Sequence, residues 1–495
     1  MIKQIRRIIV TIILSILGGG AITSAQDFES FKKQQEELFQ DYRQKTRSEW
    51  ENYRQKVNDD FAAFLERAWV HRNPEKPFVE PKKEPDVPPV VLTDLDNDLP
   101  EDNLIEVDIT FPVIEDEPIP IAPVVYRPKP SEKEISFSFY GTPGSVRFDM
   151  AKRIKLNGND EKAVSKFWRD VSNETYDNVL SDCQKIREER DFSDWAYFKI
   201  TEKVSETLYG TRNERVVFHA WLLSQSGFRV RLGRDSGNIY LLLNTTSILF
   251  DKMFWELSGA NYYLLEDVNL DSMYVIDADF PGTSPLRLRM KARNDFDNAS
   301  TPLRILTSTT SPEVRATVSC NNNLLAFLQD VPISAIEGTA VTDFLKYADM
   351  PLSHEAEQGL YSVLKESIKG KTEAEAVNLL LNFVQTAFKY ETDKEAWGKE
   401  RTFFPEETLY YPYSDCEDRA ILFCRLVKDL MGLDVAFILY PGHLATAVHF
   451  SQDYPGDYFL VKGKRYLVCD PTYINAPIGC TMMGMDNNTA QVLMF

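Results

Sequence analysis

The sequence predicts an α+β protein in which a helix packs on an antiparallel sheet near the C-terminus. Apolar residues over 420–431 have the spacing of one buried helical face, and Gly432 follows as a helix terminator. Two β-rich segments, 434–440 and 443–450, are separated by a Pro-Gly dipeptide and predict a hairpin. A further apolar segment at 465–469 would add a third strand to the same sheet.

Cys416 is predicted to lie in the first turn of that helix. Ser414 followed by Glu417 has the form of a capping box, which marks a helix N-terminus. The positive end of the helix dipole favours a thiolate there by about 0.3–1 kcal/mol. The carboxylates of Asp415, Glu417 and Asp418 oppose that effect. The sulfur therefore needs a cationic partner to become reactive.

His443 and Asp470 are the residues that could activate Cys416. His443 begins the second strand of the predicted hairpin, and Asp470 follows the third strand. An imidazole can take the thiol proton and return it to a leaving amine. A carboxylate beside the ring fixes its tautomer and stabilises the imidazolium. The three residues have the chemistry of a nucleophile, a base and an orienting acid.

The C-terminal region resembles the transglutaminase-like superfamily of papain-type cysteine enzymes. The matching residues are Asp-Cys-Glu-Asp at 415–418, the strand-borne His443, and Asp-Pro-Thr at 470–472. The resemblance implies that Cys416 is the nucleophile, His443 the base and Asp470 the orienting acid. It also implies a papain-like fold, with the nucleophile helix packed on an antiparallel sheet.

The same resemblance implies an oxyanion donor on the preceding helix. That helix is predicted to begin at Thr372, which forms a capping box with Glu375, and to run to about Tyr390. Gln385 is the amide that could serve, and Asn382 lies on a similar face.

Several other uses of these residues remain open. Cys416 could be a small buried residue, and a disulfide from Cys416 to Cys469 or Cys480 would mask the thiol. His449 competes as the base, although the start of the strand favours His443. Zinc binding is not expected, because Cys416 and Cys424 lie eight residues apart on one helix, too far to share an ion. No cofactor or metal is predicted.

The N-terminal residues predict export. Basic residues precede an apolar run from Ile8 to Leu17, and small residues at 23–25 follow it, which predicts a signal peptide over 1–25. The apolar run is short for a membrane span. The mature protein is expected to be periplasmic or extracellular, without a membrane span, and an uncleaved tether is the alternative.

The net charge limits the possible partners, and the cysteine content indicates what stabilises the fold. The chain has 495 residues, enough for two or three domains, and a net charge of −19. An acidic surface does not attract nucleic acid or an anionic membrane. Six cysteines in a chain of this length do not form a disulfide scaffold, so a core must hold the fold.

A long amphipathic helix is predicted over 26–72. Aromatic residues recur every eleven positions, each followed three residues later by another: Phe28 and Phe31, Phe39 and Tyr42, Trp50 and Tyr53, Phe61 and Phe64. Eleven residues nearly complete three helical turns, so these rings would form one straight stripe. The stripe is expected to pack on the protein itself, to self-associate, or to dock a protein partner.

Residues 73–132 are rich in Pro, Asp and Glu and are predicted to form an extended linker that serves as a spacer. A short strand is predicted within Leu104 to Val113. The remaining boundaries are a connecting segment at 313–370 and the transglutaminase-like domain at 371–495.

Residues 133–312 predict a second α/β domain. The expected elements are helices at 161–169, 176–188, 192–208 and 216–226, and strands at 136–140, 229–232, 239–243, 262–278, 286–290 and 303–307. An offset of 205 residues aligns Gly227 with Gly432, and Thr211 with Cys416. This domain could be a degenerate copy of the C-terminal one without a nucleophile, or an unrelated α/β domain.

The expected function is that of an exported cysteine enzyme acting on amide bonds of polypeptide or peptide-containing substrates. Cys416 would form a thioester acyl-enzyme, resolved by water in a peptidase or amidase and by an amine in a transglutaminase. The rival expectation is a secreted binding or scaffold protein that retains the fold without catalysis.

Overall fold

The computed structural model shows a mixed α/β chain. It describes residues 48–67, 69–80, 87–92, 102–105, 108–110, 127, 129–173, 175–336, 339 and 341–495. The predicted signal peptide and the first half of the aromatic stripe lie outside these residues. The chain divides into two compact units, Met1–Phe61 and Ala62–Phe495. The predicted middle and C-terminal domains both fall within the second unit.

The predicted N-terminal helix ends earlier than its aromatic pattern indicated. Residues 48–65 are helical, but Trp69–Arg72 is a strand that pairs antiparallel with Met273–Ile276. The prediction of one helix through residue 72 is therefore wrong at its end. The Trp69 indole donates to the Leu65 carbonyl at 2.7 Å, which closes the helix. Backbone N–H and C=O groups of residues 69–72 are satisfied by pairing with a sheet edge. Another helical turn would meet Pro74, which disfavours helical backbone at the residue before it.

An antiparallel sheet, the middle sheet, forms the centre of the region before residue 312. Its described strands, from edge to edge, are Trp69–Arg72, Met273–Ile276, Val230–Arg234, Ile239–Asn244, Ala260–Leu264 and Phe254–Leu257. One of its faces carries a buried cluster that includes Tyr240, Trp255 and Tyr262. The helices of this region are Glu161–Val171, Asp177–Glu189, Asp194–Leu208 and Arg212–Gln225.

A second sheet, the C-terminal sheet, carries two of the predicted site residues. Its described strands, from edge to edge, are Asn103–Ile105, Asp457–Val461, Lys464–Cys469, His443–His449, Asp434–Tyr440, Gln491–Met494 and Asp108–Thr110. The helices associated with it are His354–Ile368, Glu373–Ala387, Pro405–Tyr410 and Cys416–Met431. The helix Cys416–Met431 packs against both the helix Glu373–Ala387 and the strand His443–His449.

The two sheets share one strand order and one set of pairing directions. In each, a helix ends at a glycine of positive φ, Gly227 (89°) or Gly432 (67°), and five antiparallel strands follow. The first strand pairs with the second and the fifth, and the fourth pairs with the second and the third. A duplicated domain would show this shared order.

The middle region also contains elements that differ from the expectation. A hairpin of Lys133–Phe139 and Thr142–Phe148 replaces the single strand at 136–140. The expected strand at 286–290 does not form, although the side chains of Leu286, Leu288 and Met290 are buried in alternation. Arg287 and Arg289 between them pair with the carboxylates Asp194 and Asp349, so ion pairs replace a partner strand.

The Pro-rich linker adds strands to the C-terminal sheet and bridges to the middle region, so it is more than a spacer. The strand Trp69–Arg72 of the middle sheet ends just before the linker, and isolated backbone bridges join Glu75 to Phe254 and Phe78 to Phe250. Further on, Asn103–Ile105 and Asp108–Thr110 form parallel edge strands of the C-terminal sheet. Edge strands of this kind need hydrogen bonds on one side only, which suits short extended pieces of a Pro-rich segment.

A second hairpin, Arg304–Thr307 with Arg315–Val318, supports the helices behind the site. Gly359 of the helix His354–Ile368 approaches this hairpin so closely that a Cβ atom there would lie 2.5 Å from the Thr317 carbonyl oxygen. Only glycine fits at that contact.

We expect Gly359→Ala to lower the free energy of unfolding by about 1–3 kcal/mol, because the added methyl group forces the helix away from the strand. Gly210→Ala is the matched control, since a Cβ there meets no atom within 4 Å. Urea unfolding followed by circular dichroism measures both variants. Equal stability of the two would contradict the close contact.

Candidate active site

His443 and Asp470 form a buried hydrogen-bonded pair. The His443 Nε2–H donates to Asp470 Oδ2 at 2.8 Å, and neither side chain is more than 1% exposed. The other Asp470 oxygen, Oδ1, accepts from the backbone N–H groups of Thr472 at 2.9 Å and Tyr473 at 3.2 Å. These bonds fix the carboxylate, and the carboxylate fixes the ring orientation and tautomer.

The second ring nitrogen of His443 is left for proton transfer. Its Nδ1 is buried and has no hydrogen-bond partner among the described residues. A buried polar atom without a partner is costly and commonly marks a functional site. Because Nε2 is held by Asp470, Nδ1 is the ring atom that can accept and return a proton.

Cys416 is the first residue of its helix, as the sequence predicts, but a different residue caps that helix. Asp415 is the N-cap and forms the capping box with Asp418, in place of Ser414 and Glu417. Aspartate is an equally good N-cap, and its position one residue later brings Cys416 directly to the helix start. Cys416 keeps its thiol, since no disulfide forms among the described residues.

The Cys416 thiol contacts a carboxylate in this structure. Its Sγ donates to Glu417 Oε2 at 3.1 Å, and the residue is fully buried. The thiol is therefore not hydrogen-bonded to His443 Nδ1 here. Catalytic hydrogen bonds are often absent or long without substrate and form in the substrate complex.

The middle sheet shows which positions this topology brings together. Arg212, the first residue of the equivalent helix, donates from Nη1 to the Ile239 carbonyl at 2.6 Å and pairs with Glu266. Asn213 donates to the Gly237 carbonyl at 3.0 Å. The helix start, the hairpin turn and the end of the fourth strand thus converge. In the C-terminal sheet, Cys416 and Glu417 begin the corresponding helix, His443 follows the corresponding turn, and Asp470 follows the fourth strand.

The middle sheet itself lacks this chemistry. Its hairpin turn at Ser236-Gly237 precedes that at Pro441-Gly442 by the same 205 residues as the glycines at the helix ends. Asn238 and Thr211 therefore occupy the positions of His443 and Cys416. An amide side chain cannot act as a general base, so this sheet has no equivalent of His443.

Gln385 holds the Asp470 loop. Its Nε2 donates both hydrogens, to the Asp470 carbonyl at 3.0 Å and to the Ala476 carbonyl at 3.1 Å. Its Oε1 accepts from the Asn475 N–H at 3.2 Å. An oxyanion role for Gln385 would require one of these carbonyls to be released. The helix that carries it ends at Ala387 and not near Tyr390, because Lys389–Tyr390 forms a parallel strand with Tyr413–Ser414.

The competing candidates lie in other environments. His449 is half-buried, and its Nδ1 bonds to the Arg465 carbonyl at 2.9 Å. Asn382 accepts the Ser308 hydroxyl at 2.9 Å and also that of Thr310, so it supports the hairpin behind the site.

Arg419 is a buried cation that the sequence analysis did not single out. It lies one helical turn after Cys416, and burial lowers its pKa to about 10. Its guanidinium donates to the carbonyls of Gln385 at 3.2 Å and Phe388 at 2.8 Å, which ties the two helices together. It also supplies positive charge close to the Cys416 sulfur. An arginine on the apolar side of the predicted helix was the available signal.

Carboxylates cluster around the start of the same helix. Oxygens of Asp393, Asp415 and Asp418 lie within 4.8 Å of one another, and so do those of Asp393, Glu400 and Glu417. This donor set suits a hard divalent cation. Burial, together with Asp393 and Glu417, raises the pKa of Asp418 well above its ordinary value. The cluster comes from separate segments, and spacing alone could not reveal it.

A cavity of about 810 Å³ lies beside the middle sheet. Leu241, Leu243 and His219 line it. The Nε2 atom of His219 lies 3.1 Å from both the Phe198 carbonyl and the Thr201 hydroxyl, and burial lowers its pKa to about 3. His219 is thus a neutral core histidine.

Comparisons place no external constraint on the function. The chain matches no family model, no curated protein and no solved structure. Among the described residues, no helix combines the length and the apolar character needed to cross a bilayer. The geometry of the site therefore carries the functional argument.

We expect Gln385→Glu to destabilise the protein by about 1–3 kcal/mol, because an acceptor would replace the two N–H donors that face carbonyl oxygens. Asn382→Asp is the matched control, since Asn382 uses its oxygen as an acceptor. Thermal unfolding of both variants at neutral pH measures the difference. A control as unstable as Gln385→Glu would show that the loss is a general effect of added charge.

We expect the wild type to lose stability relative to Asp418→Asn as the pH rises. The raised pKa means that the folded state favours the protonated carboxyl. Its contribution is complete below the ordinary pKa and is lost as the pH rises through the folded-state value. Urea unfolding of both proteins between pH 4 and pH 8 tests the sign. A difference in stability that does not vary with pH would contradict the raised pKa.

Proposed function

We propose that this protein is a transglutaminase-like cysteine enzyme that acts on amide bonds of polypeptide or peptide-containing substrates. The observation that carries the proposal is the buried His443–Asp470 pair, in which Nε2 is held and Nδ1 has no partner among the described residues. This is the arrangement that a general base requires. Export to the periplasm or the extracellular space is part of the proposal and rests on the residues before position 26.

In the proposed reaction Cys416 attacks the substrate carbonyl carbon. The thiol proton moves to His443 Nδ1 as the sulfur–carbon bond forms, and Asp470 stabilises the resulting imidazolium. The carbon–nitrogen bond then breaks, and the leaving amine takes the proton from Nδ1. The product is a thioester on Cys416. Water or a second amine attacks the thioester, transfers a proton to the same nitrogen and releases the sulfur.

Two observations support this assignment. The contacts of Arg212 in the middle sheet indicate that a helix start and the beginning of the second strand come together in this topology. Arg419 adds a buried positive charge one turn from the sulfur, which favours the thiolate. We assign Gln385 to positioning of the Asp470 loop.

The alternative is a secreted binding or scaffold protein that retains the fold. The bond from the Cys416 thiol to Glu417 favours it, because a carboxylate acceptor retains the proton on sulfur. The other carboxylates at the helix start also oppose formation of the thiolate, because their negative charge would repel it. Under the catalytic proposal, the sulfur must turn from Glu417 toward Nδ1 when substrate binds.

Thiol labelling distinguishes the two functions. We expect iodoacetamide near neutral pH to modify Cys416 faster than the other four buried cysteines, and His443→Ala to slow this labelling at least tenfold. Asp470→Asn should slow it as well, because the base loses its tautomer control. His449→Ala is the control on the same strand and should label like the wild type. Peptide mapping by mass spectrometry gives the rate for each cysteine.

A labelling rate that His443→Ala and His449→Ala leave equally unchanged would remove His443 from the site and favour the scaffold. Circular dichroism confirms that each variant is folded before its rate is compared.

A further inference from the structure

A short piece of the Pro-rich linker lies against the candidate active site. Residues 87–92, with the sequence Val-Pro-Pro-Val-Val-Leu, are called the strap. The strap belongs to neither sheet and makes one parallel bridge, between Val91 and Ile474. The strap is thus not part of either sheet's hydrogen-bonded strand order, and its removal would leave that order intact.

The strap contacts the segments that carry His443, Asp470 and Gln385. The Val87 N–H donates to the Gly442 carbonyl at 3.0 Å, one residue before His443. The Tyr390 hydroxyl donates to the Val87 carbonyl at 3.5 Å, and Tyr390 follows the Gln385 helix. The Ile474 N–H donates to the Val90 carbonyl at 2.8 Å, within the loop that begins at Asp470.

These contacts have the form of peptide recognition. The Leu92 N–H donates to the Ile474 carbonyl at 2.9 Å, so Ile474 both donates to and accepts from the strap. An extended peptide that adds to a strand edge uses the same pattern of main-chain hydrogen bonds. Such bonds do not depend on the peptide sequence, and another extended chain could make them in place of the strap.

The side chains of the strap add an apolar anchor. Val87, Val90 and Leu92 pack against a buried cluster formed by Tyr473, Ala476 and Met482. Val91 points away and is 52% exposed. The side chains of the strap are thus divided between the buried apolar cluster and solvent. The prolines at 88 and 89 favour the extended conformation, which lowers the entropy lost on binding.

The site is closed in this arrangement. Cys416 is fully buried, and the His443 side chain has no exposed surface. A polypeptide substrate has to reach both residues, so part of the protein must move. Among the described residues, four hydrogen bonds join the strap to the segments beside the site, so its release breaks few contacts.

We propose that the strap is an intramolecular inhibitor that occupies the place of the substrate, and that its displacement opens the site. This inference rests on the proposed function and adds a substrate class to it. The substrate is an extended polypeptide that pairs with Ile474 through its main chain and places small branched apolar side chains where Val87 and Val90 lie. Cleavage of the linker or competition by the substrate would release the strap.

The test measures iodoacetamide labelling of Cys416 in the full-length chain. Val87→Asp with Val90→Asp, as a double variant, places two charges in the apolar cluster and should release the strap. We expect its labelling to be at least tenfold faster than in the wild type. Val91→Asp is the matched control, because the same charge is added at an exposed position of the strap. It should label at the wild-type rate.

A second arm adds the free peptide Val-Pro-Pro-Val-Val-Leu to the double variant. We expect the peptide to slow labelling again, whereas a peptide of the same composition in scrambled order should not. If circular dichroism shows that the double variant is unfolded, Val87→Ala with Val90→Ala replaces it, and a labelling increase of about threefold is expected. A folded variant that labels at the wild-type rate overturns the inference.

The two proposals fail in different ways. His443→Ala placed in the double-variant background reports on the function alone, since the strap is already displaced. Fast labelling that persists in that background removes His443 as the base but leaves the strap as a cover. Slow labelling in a folded double variant, with His443 dependence retained in the wild type, removes the strap and leaves the function.

Discussion

The site depends on one buried hydrogen bond, from His443 Nε2–H to Asp470 Oδ2. A carboxylate and an imidazole removed from water lose hydration that only well-placed partners can replace. Asp470 obtains these partners from two backbone N–H groups of its own loop, and Gln385 holds that loop by three further bonds. Removal of one member of such a set leaves a buried charge without compensation. The loop, the Gln385 helix and the strand that begins at His443 are therefore fixed relative to one another.

This rigidity contrasts with the state of Cys416. The sulfur lies at a helix start between opposing influences, with the buried Arg419 on one side and a group of carboxylates on the other. Its proton bonds to Glu417 in the present arrangement. Under the proposed function, the base is held in place and the nucleophile is restrained until the site opens. The burial of all three residues is consistent with such a closed site.

The two sheets share one strand order, so the side chains at equivalent places can be compared. In the middle sheet, contacts of Arg212 and Asn213 bring a helix start, a hairpin turn and the end of the fourth strand together. In the middle sheet, Arg212 and Glu266 form an ion pair at this place. In the C-terminal sheet the same place holds groups that can transfer protons. Sheets of one strand order thus carry different side chains at this place, and under the proposed function only the C-terminal sheet is catalytic.

The sequence by itself determined the local elements of the site. The Thr372 and Glu375 capping box, the helix that begins at Cys416, its end at Gly432 and the hairpin at Pro441-Gly442 all depend on neighbours in the chain, and all are observed. The pairing of His443 with Asp470 was anticipated from residue types at the ends of strands. The N-cap of this helix was predicted at Ser414 and is observed at Asp415, one residue later.

Only the tertiary structure decided which distant groups meet. The linker was expected to be a spacer, yet edge pairing and packing bring its residues to both sheets and to Gly442, because unpaired strand edges accept any extended chain of suitable register. Gln385 was named as an amide that could serve as an oxyanion donor, and in the structure its amide bonds to the Asp470 loop, because a buried amide satisfies its hydrogen bonds where backbone partners are nearest. Contacts of this kind join residues far apart in the chain, and their free energies depend on burial that no local pattern records.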